Sequence, residues 1–174
     1  FKGTATALVT PFTEDDGVDV SALERIVEYQ IENGVDALVA LGTTGEPATM
    51  SKREKELVLK TVVKKAKGIL PIIVGAGSND TKTAIENCAF AQDNGADALL
   101  IVTPYYNKCT QEGLVGHFGK IAESTHETEQ EREHENTNVA AVHIGIGHAD
   151  DAVVAKFGFV ILGVDSAAER GYHG

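Results

Sequence analysis

The hexapeptide Asn33-Gly34-Val35-Asp36-Ala37-Leu38 returns 61 residues later as Asn94-Gly95-Ala96-Asp97-Ala98-Leu99. Few folds accommodate such a repeat. Asn-Gly ends a helix, because these residues most readily adopt the left-handed backbone that a helix C-terminus needs, and the short apolar run after it starts a strand. The interval holds two strand–helix units of about 30 residues each, and each unit has a structural reason of its own.

The rest of the first 124 residues keeps the same rhythm. Apolar, partly β-branched runs lie at Thr6 to Thr10, Ala37 to Gly42, Pro71 to Gly75 and Ala98 to Thr103. Helical periods follow at Val20 to Asn33, opened by Ser21, at Ser51 to Lys67, at Asp80 to Asn94 and at Gln111 to Ser124. Ser51-Lys52-Arg53-Glu54 has capping-box spacing. Strands alternating with helices of this length make a parallel α/β sheet. Four such units suit half of a (β/α)8 TIM barrel, and a doubly wound sheet of flavodoxin type stays open at this point.

The pattern then breaks. Residues 123–138 contain no apolar side chain and read as a polar, acidic linker or an exposed helix extension. Two apolar runs follow, Val139 to Ile146 and Phe159 to Val164, both read as strands, with a short helix at most between them. The expectation is one domain over residues 1–174: an α/β TIM barrel in partial form with about six strands, since a whole barrel takes about 200 residues or more.

Composition bounds the partners. A formal net charge of −11 repels nucleic acid and anionic membrane, and the densest basic run, Lys60 to Lys67, is interleaved with apolar residues like a helix face. No stretch reaches the length of a membrane helix and Phe1-Lys2-Gly3 opens no signal pattern, so a cytoplasmic chain is expected. Cys88 and Cys109 are too few for a disulfide framework or a zinc site and read as free thiols. His126 and His134 would stand two turns apart on a helix, about 12 Å, too far to share one metal.

Two segments carry chemistry. Gly42-Thr43-Thr44-Gly45-Glu46 follows the second strand, at the rim where α/β barrels bind substrates, and offers backbone N–H groups and two short hydroxyls to a carboxylate. A plain strand-to-helix turn would use the same residues. Thr103-Pro104-Tyr105-Tyr106-Asn107 holds the equivalent place after the fourth strand. Adjacent tyrosines there suit proton relay or a subunit contact, or simply cover the barrel mouth.

Taken in order, Thr6-Ala7-Leu8-Val9-Thr10-Pro11-Phe12, Gly42 to Glu46, Gly75-Ala76-Gly77, Thr103 to Asn107 and Gln111-Glu112-Gly113 resemble the dihydrodipicolinate synthases. The threonine pair and the Pro-Tyr-Tyr-Asn segment favour these over their sialic-acid lyase relatives. The resemblance implies a (β/α)8 barrel that forms a Schiff base between pyruvate and a lysine, then condenses it with a small aldehyde, aspartate semialdehyde, in lysine biosynthesis. It implies a homo-oligomer, dimer or tetramer, and no cofactor or metal is expected. Thr43 would belong to a proton relay, and Thr44 with its backbone would hold the pyruvate carboxylate. One tyrosine would join the relay of its own subunit and the other would reach across an interface; Tyr106 is assigned to the relay and Tyr105 to the interface.

The resemblance stops near residue 124. It implies a Schiff-base lysine on the sixth strand and a second relay tyrosine near the end of the fifth. The fifth run has only His143 as a group titrating near neutrality, and Gly163-Val164-Asp165-Ser166 is similar to the family's lysine-bearing stretch without its lysine. Lys156 precedes that strand, and a hydroxyl or carboxylate cannot form an iminium in its stead. The Schiff-base lysine is therefore unassigned. Two functions follow: a lyase of this type in incomplete or altered form, or a non-catalytic relative that binds a small 2-oxo acid or serves as an assembly partner.

Overall fold

The repeated hexapeptide does the same two jobs in both copies. After the helices, Gly34 and Gly95 take φ of 73° and 91°. Their N–H groups donate to Ile31 and Gln92, while the next residues, Val35 and Ala96, donate back to Gln30 and Ala91, so both helices end in a Schellman turn. Each repeat aspartate then ties down the start of a neighbouring strand: Asp36 accepts from the Thr4 N–H at 2.7 Å, and Asp97 from the Ile72 N–H at 3.0 Å. The repeat is thus a helix stop joined to a strand clamp.

In the computed structural model, the described residues are 3–107 and 109–127, together with the strands Ala141–Gly145 and Gly158–Gly163. The strands are β1 (Ala5–Ala7), β2 (Ala37–Ala40), β3 (Ile72–Gly75), β4 (Ala98–Val102), β5 (Ala141–Gly145) and β6 (Gly158–Gly163). The helices are α1 (Val20–Glu32), α2 (Lys52–Ala66), α3 (Thr81–Asp93) and α4 (Gln111–Glu127). The expected element order holds, and the helix limits fall within a few residues of those read from the sequence.

Three local details differ. The first strand ends at Ala7, although Leu8 still donates to the Val39 carbonyl. Asp19, rather than Ser21, caps α1, because its carboxylate accepts the Ala22 N–H at 2.8 Å from the correct spacing. The Ser51–Glu54 capping box is present, and its hydrogen bonds hold the Glu54 carboxyl below the usual range. The helical period of α4 runs on to Glu127, so the polar segment begins as a helix extension; residues 128–138, including His134, lie outside the described residues, as do Lys156 and the piece between the last two strands.

The sheet order is β1-β2-β3-β4-β6-β5. β1 to β4 are parallel, whereas β6 runs antiparallel to both β4 and β5. The reading of six parallel strands is corrected here. Only 12 residues, 146–157, separate β5 from β6, which is the lower limit for a parallel crossover, whereas antiparallel neighbours need only a short connection.

Alternation along the strands divides the sheet into two faces. Leu38, Ala40, Ile72, Val74, Leu99 and Ile101 join the main core with Leu23 and Val27 of α1, Leu59 and Val62 of α2, Cys88 of α3 and Ile121 of α4. Among the described side chains, the opposite face buries Ala37, Ile73 and Ala98, with Val39 and Leu100 partly covered. The basic run at the end of α2 lies on the surface as expected: Lys64 and Lys65 pair with Glu24 and Glu28 of α1, and Lys67 with Asp97. Such exposed pairs contribute little to stability.

Both cysteines are free, Cys88 buried and Cys109 exposed. Burial pushes the Cys88 thiol up to about 12, so it stays protonated and unreactive near neutrality. A thiol-reactive dye at pH 8 should therefore label Cys109 alone in the folded chain and both cysteines in denaturant; two fast equivalents without denaturant would contradict this packing.

His117 of α4 is 4% exposed. Its Nδ1 shares a hydrogen bond with the Thr81 hydroxyl at 2.9 Å, its ring meets Phe118 edge-on, and its Nε2 is buried without a partner. Burial holds the imidazole below its ordinary 6.5, against the opposing pull of Asp80. The unfolded chain then takes up a proton on falling through about pH 6.5 while the folded chain resists, so stability rises with pH across that window. Urea unfolding at pH 7 and pH 5.5 should show a larger acid loss for the wild type than for His117→Gln, and equal losses would assign the acid sensitivity elsewhere.

Candidate substrate-binding rim

Parallel register brings the loops after β1, β2, β3 and β4 to one edge of the sheet. Ala40 stands beside Val74, and Gly75 beside Leu100, so the Thr43–Thr44 and Tyr105–Tyr106 segments leave their strands on the same side. That edge is where α/β sheets bind ligands.

The first loop is a 3-10 turn over Thr43–Gly45. The Gly45 N–H donates to the Gly42 carbonyl at 2.8 Å and the Glu46 N–H to the Thr43 carbonyl at 3.1 Å. Thr43 and Thr44 are exposed at its surface while Gly42 and Gly45 are buried beneath them. The result is a pair of hydroxyls and the first amides of a turn, open to solvent at the carboxyl end of β2.

Its glycines are not the left-handed residues of the loop. Gly42 has φ of −69°, and the left-handed residues are Leu41 and Glu46 on either side, at 54° and 55°. A Cβ on Gly45 would stand 3.2 Å from the Leu8 carbonyl oxygen and 3.4 Å from the Thr10 hydroxyl. The Gly75-Ala76-Gly77 segment supports the neighbouring loops in the same way. A Cβ on Gly75 would meet the Leu41 carbonyl oxygen at 2.2 Å, and one on Gly77 the Val102 nitrogen at 2.6 Å. The loops after β2, β3 and β4 thus rest backbone on backbone.

In the second loop the Asn107 N–H closes on the Tyr105 carbonyl at 2.8 Å across Tyr106, whose φ is 65°. This three-residue turn has the φ of the rarer, strained γ form. Its ring projects: Tyr106 is 98% exposed and Tyr105 49%. Four non-glycine residues among those described have a left-handed backbone, and Leu41, Glu46 and Tyr106 belong to these two loops; the fourth, Asp16, lies in an ordinary polar turn. Each costs about 1–3 kcal/mol, and such strain concentrates at functional sites.

The last two strands do not complete the rim in the expected way. Antiparallel pairing sets Gly163, the last residue of β6, opposite Ala98 at the amino end of β4, on the side away from Thr43 and Tyr106; Val164, Asp165 and Ser166 lie outside the described residues. The sequence of β6 holds no lysine. His143 pairs with Val160, which pairs with Ile101, so it stands one position short of the end of β4. No group of histidine, cysteine and carboxylates suited to a metal exists among the described residues, and no described helix is long and apolar enough to cross a membrane.

Sequence reasoning singled out the hydroxyls and phenols of this rim but not what holds them. Leu41 and Glu46 have no compositional sign of left-handed backbone. Thr10, 6% exposed, donates its hydroxyl to the Gly45 carbonyl at 2.8 Å, and nothing in a Val-Thr-Pro segment announces that bond.

The sequence pattern of the dihydrodipicolinate synthetase family matches residues 1–128. The 4-hydroxy-tetrahydrodipicolinate synthase of Alkaliphilus oremlandii is 48% identical over 125 residues, covering 72% of this chain and 43% of the relative. That of Methanocaldococcus jannaschii is 53% identical over 124 residues, covering 71% and 43%. Among solved structures, the chloride-inhibited dihydrodipicolinate synthase from Acinetobacter baumannii, complexed with pyruvate, has a TM-score of 0.68 at 51% identity, covering 70% of this chain and 42% of that one. The chain therefore spans under half the length of the relatives it matches, and their likeness makes its fold that of the (β/α)8 barrels in partial form. By its first four strand–helix units and the two rim segments they carry, this chain belongs to the dihydrodipicolinate synthetase family.

Proposed function

We propose that the rim of β1 to β4 is the pyruvate-binding part of a Schiff-base lyase that condenses pyruvate with aspartate semialdehyde. Thr44 and its backbone hold the carboxylate, Thr43 passes a proton, and Tyr106 supplies the relay phenol. The single observation behind this is the exposed hydroxyl pair on a strained turn, on the same edge as the strained tyrosine turn. The relative whose structure is described as complexed with pyruvate supports the choice of ligand.

The exposures bear on how the tyrosines divide their work. Tyr106 is 98% exposed and Tyr105 49%, so neither ring is fully covered by its own chain, which supports a site at a boundary between copies, with Tyr106 in the relay and Tyr105 at the interface. The functional unit is on this reading a homo-oligomer.

A second reading applies to the chain by itself: it binds a 2-oxo acid without turnover. The absence of lysine from β6 and the reversed direction of that strand favour it, because an iminium needs an amine inside the rim. One experiment separates the two. Pyruvate is titrated against the chain by amide chemical shift, then borohydride is added and the intact mass measured. A reduced adduct on a lysine supports the lyase; saturable binding without adduct supports the binder; no binding overturns both. Thr44→Val should weaken pyruvate about 10- to 150-fold, the worth of a hydrogen bond to a charged group.

A further inference from the structure

The hydroxyl pair sits on a turn whose own hydrogen bonds are few. Inside it are two, from Gly45 to Gly42 and from Glu46 to Thr43. Both ends are strained, at Leu41 and Glu46. A short turn with left-handed residues at each end persists only if something outside it fixes its position.

Two contacts from outside are available. From below, the Leu41 carbonyl rests on Gly75, where a Cβ would come within 2.2 Å. From the side, the segment trailing β1 reaches Gly45: the Leu8 carbonyl oxygen would lie 3.2 Å from a Cβ there, and the buried Thr10 hydroxyl donates to the Gly45 carbonyl at 2.8 Å. The first contact is steric and does not choose an orientation. The second is a directed bond between residues 35 apart, and its acceptor is the last peptide unit of the turn that carries Thr43 and Thr44.

We infer that Thr10 is a positioning residue of the rim, whose hydroxyl clamps the Gly45 carbonyl and so fixes where the Thr43 and Thr44 hydroxyls point. The buried donor would otherwise be unpaired, as would the carbonyl, so the bond is maintained in the folded chain. Its consequence for binding rests on the reading of Thr43 and Thr44 as the carboxylate cradle. The hold on the turn does not depend on that reading.

The test compares the wild-type chain with Thr10→Val, which keeps the shape and removes the donor, and Thr10→Ser, which keeps the donor. Amide hydrogen exchange is read at Gly45 and Glu46, with Leu59 and Val62 of α2 as reference, and pyruvate is titrated against each chain. Thr10→Val should speed exchange at Gly45 and Glu46 about tenfold, leave α2 unchanged and weaken pyruvate about tenfold, as expected for losing one buried hydrogen bond. Thr10→Ser should return both to within about threefold of the wild type.

Wild-type exchange and binding in Thr10→Val would overturn the proposal, and so would a uniform rise that includes α2, which would mark a merely structural residue. Should Thr10→Val not fold, Thr10→Ser and Thr10→Ala are compared in the same way, and equal exchange at Gly45 in these two overturns it. A wild-type chain that binds no pyruvate defeats the cradle reading, and the exchange rates then decide the role of Thr10 independently.

Discussion

Gly75→Ala should lower the unfolding free energy in urea by about 3 kcal/mol, a large loss for a single methyl group. The added Cβ would lie 2.2 Å from the Leu41 carbonyl oxygen, 2.7 Å from its carbon and 2.9 Å from the Gly42 nitrogen. All three are backbone atoms, so no rotamer change relieves the clash and β3 must separate from the loop after β2. Because that loop carries Thr43 and Thr44, pyruvate binding should weaken in the same variant. Gly116→Ala provides the contrast, since nothing lies within 4 Å of a Cβ there and alanine is the better helix former. It should stabilise by about 0.5–1 kcal/mol. A loss under about 1 kcal/mol for Gly75→Ala would mean that the two loops are not in backbone contact.

This glycine illustrates what could be read from the sequence. Gly34 and Gly95 are legible because Asn-Gly after a helical period has one common use, and both take the expected left-handed backbone. Gly42, Gly45 and Gly75 look like turn residues too, yet the left-handed positions of that loop are Leu41 and Glu46. Gly45 and Gly75 are there because neighbouring segments pass too close for a side chain, and such closeness is a property of the assembled sheet. Thr43, Thr44, Tyr105 and Tyr106 were recognisable as a set because their order matches one family. The clamp from Thr10 was not, since a threonine before proline is equally at home with its hydroxyl in water.

The direction of β6 was illegible for a related reason. Its Gly-Phe-Val-Ile-Leu-Gly run is apolar throughout, and an apolar run fits a parallel or an antiparallel neighbour alike. For β1 to β4 the intervening helices dictate a parallel return; between β5 and β6 the 12 residues impose no such choice. The local likeness of Gly163-Val164-Asp165-Ser166 to a lysine-bearing stretch therefore had no power to place it on the rim, and the pairing with β4 sets its first residue, Gly163, opposite Ala98 at the other edge.

The second large effect concerns the two faces of the sheet. Leu99→Ala should cost about 3–4 kcal/mol, because the side chain is wholly buried among the helices and its removal leaves a cavity. Leu100→Ala, one residue along and on the opposite face, should cost only about 1 kcal/mol, since Leu100 is itself only partly covered and, among the described side chains, just Ala37, Ile73 and Ala98 are buried beside it. A closed barrel would fill its interior with layers of side chains from all its strands, and neighbouring residues on the two faces would then cost similar amounts. The contrast in urea unfolding thus measures whether the interior of the barrel is packed in this chain. Equal losses would mean that other strands or another copy cover the Leu100 face in solution; unequal losses would locate the stabilising core between the sheet and its four helices, leaving the inner face and the rim above it free to receive a ligand.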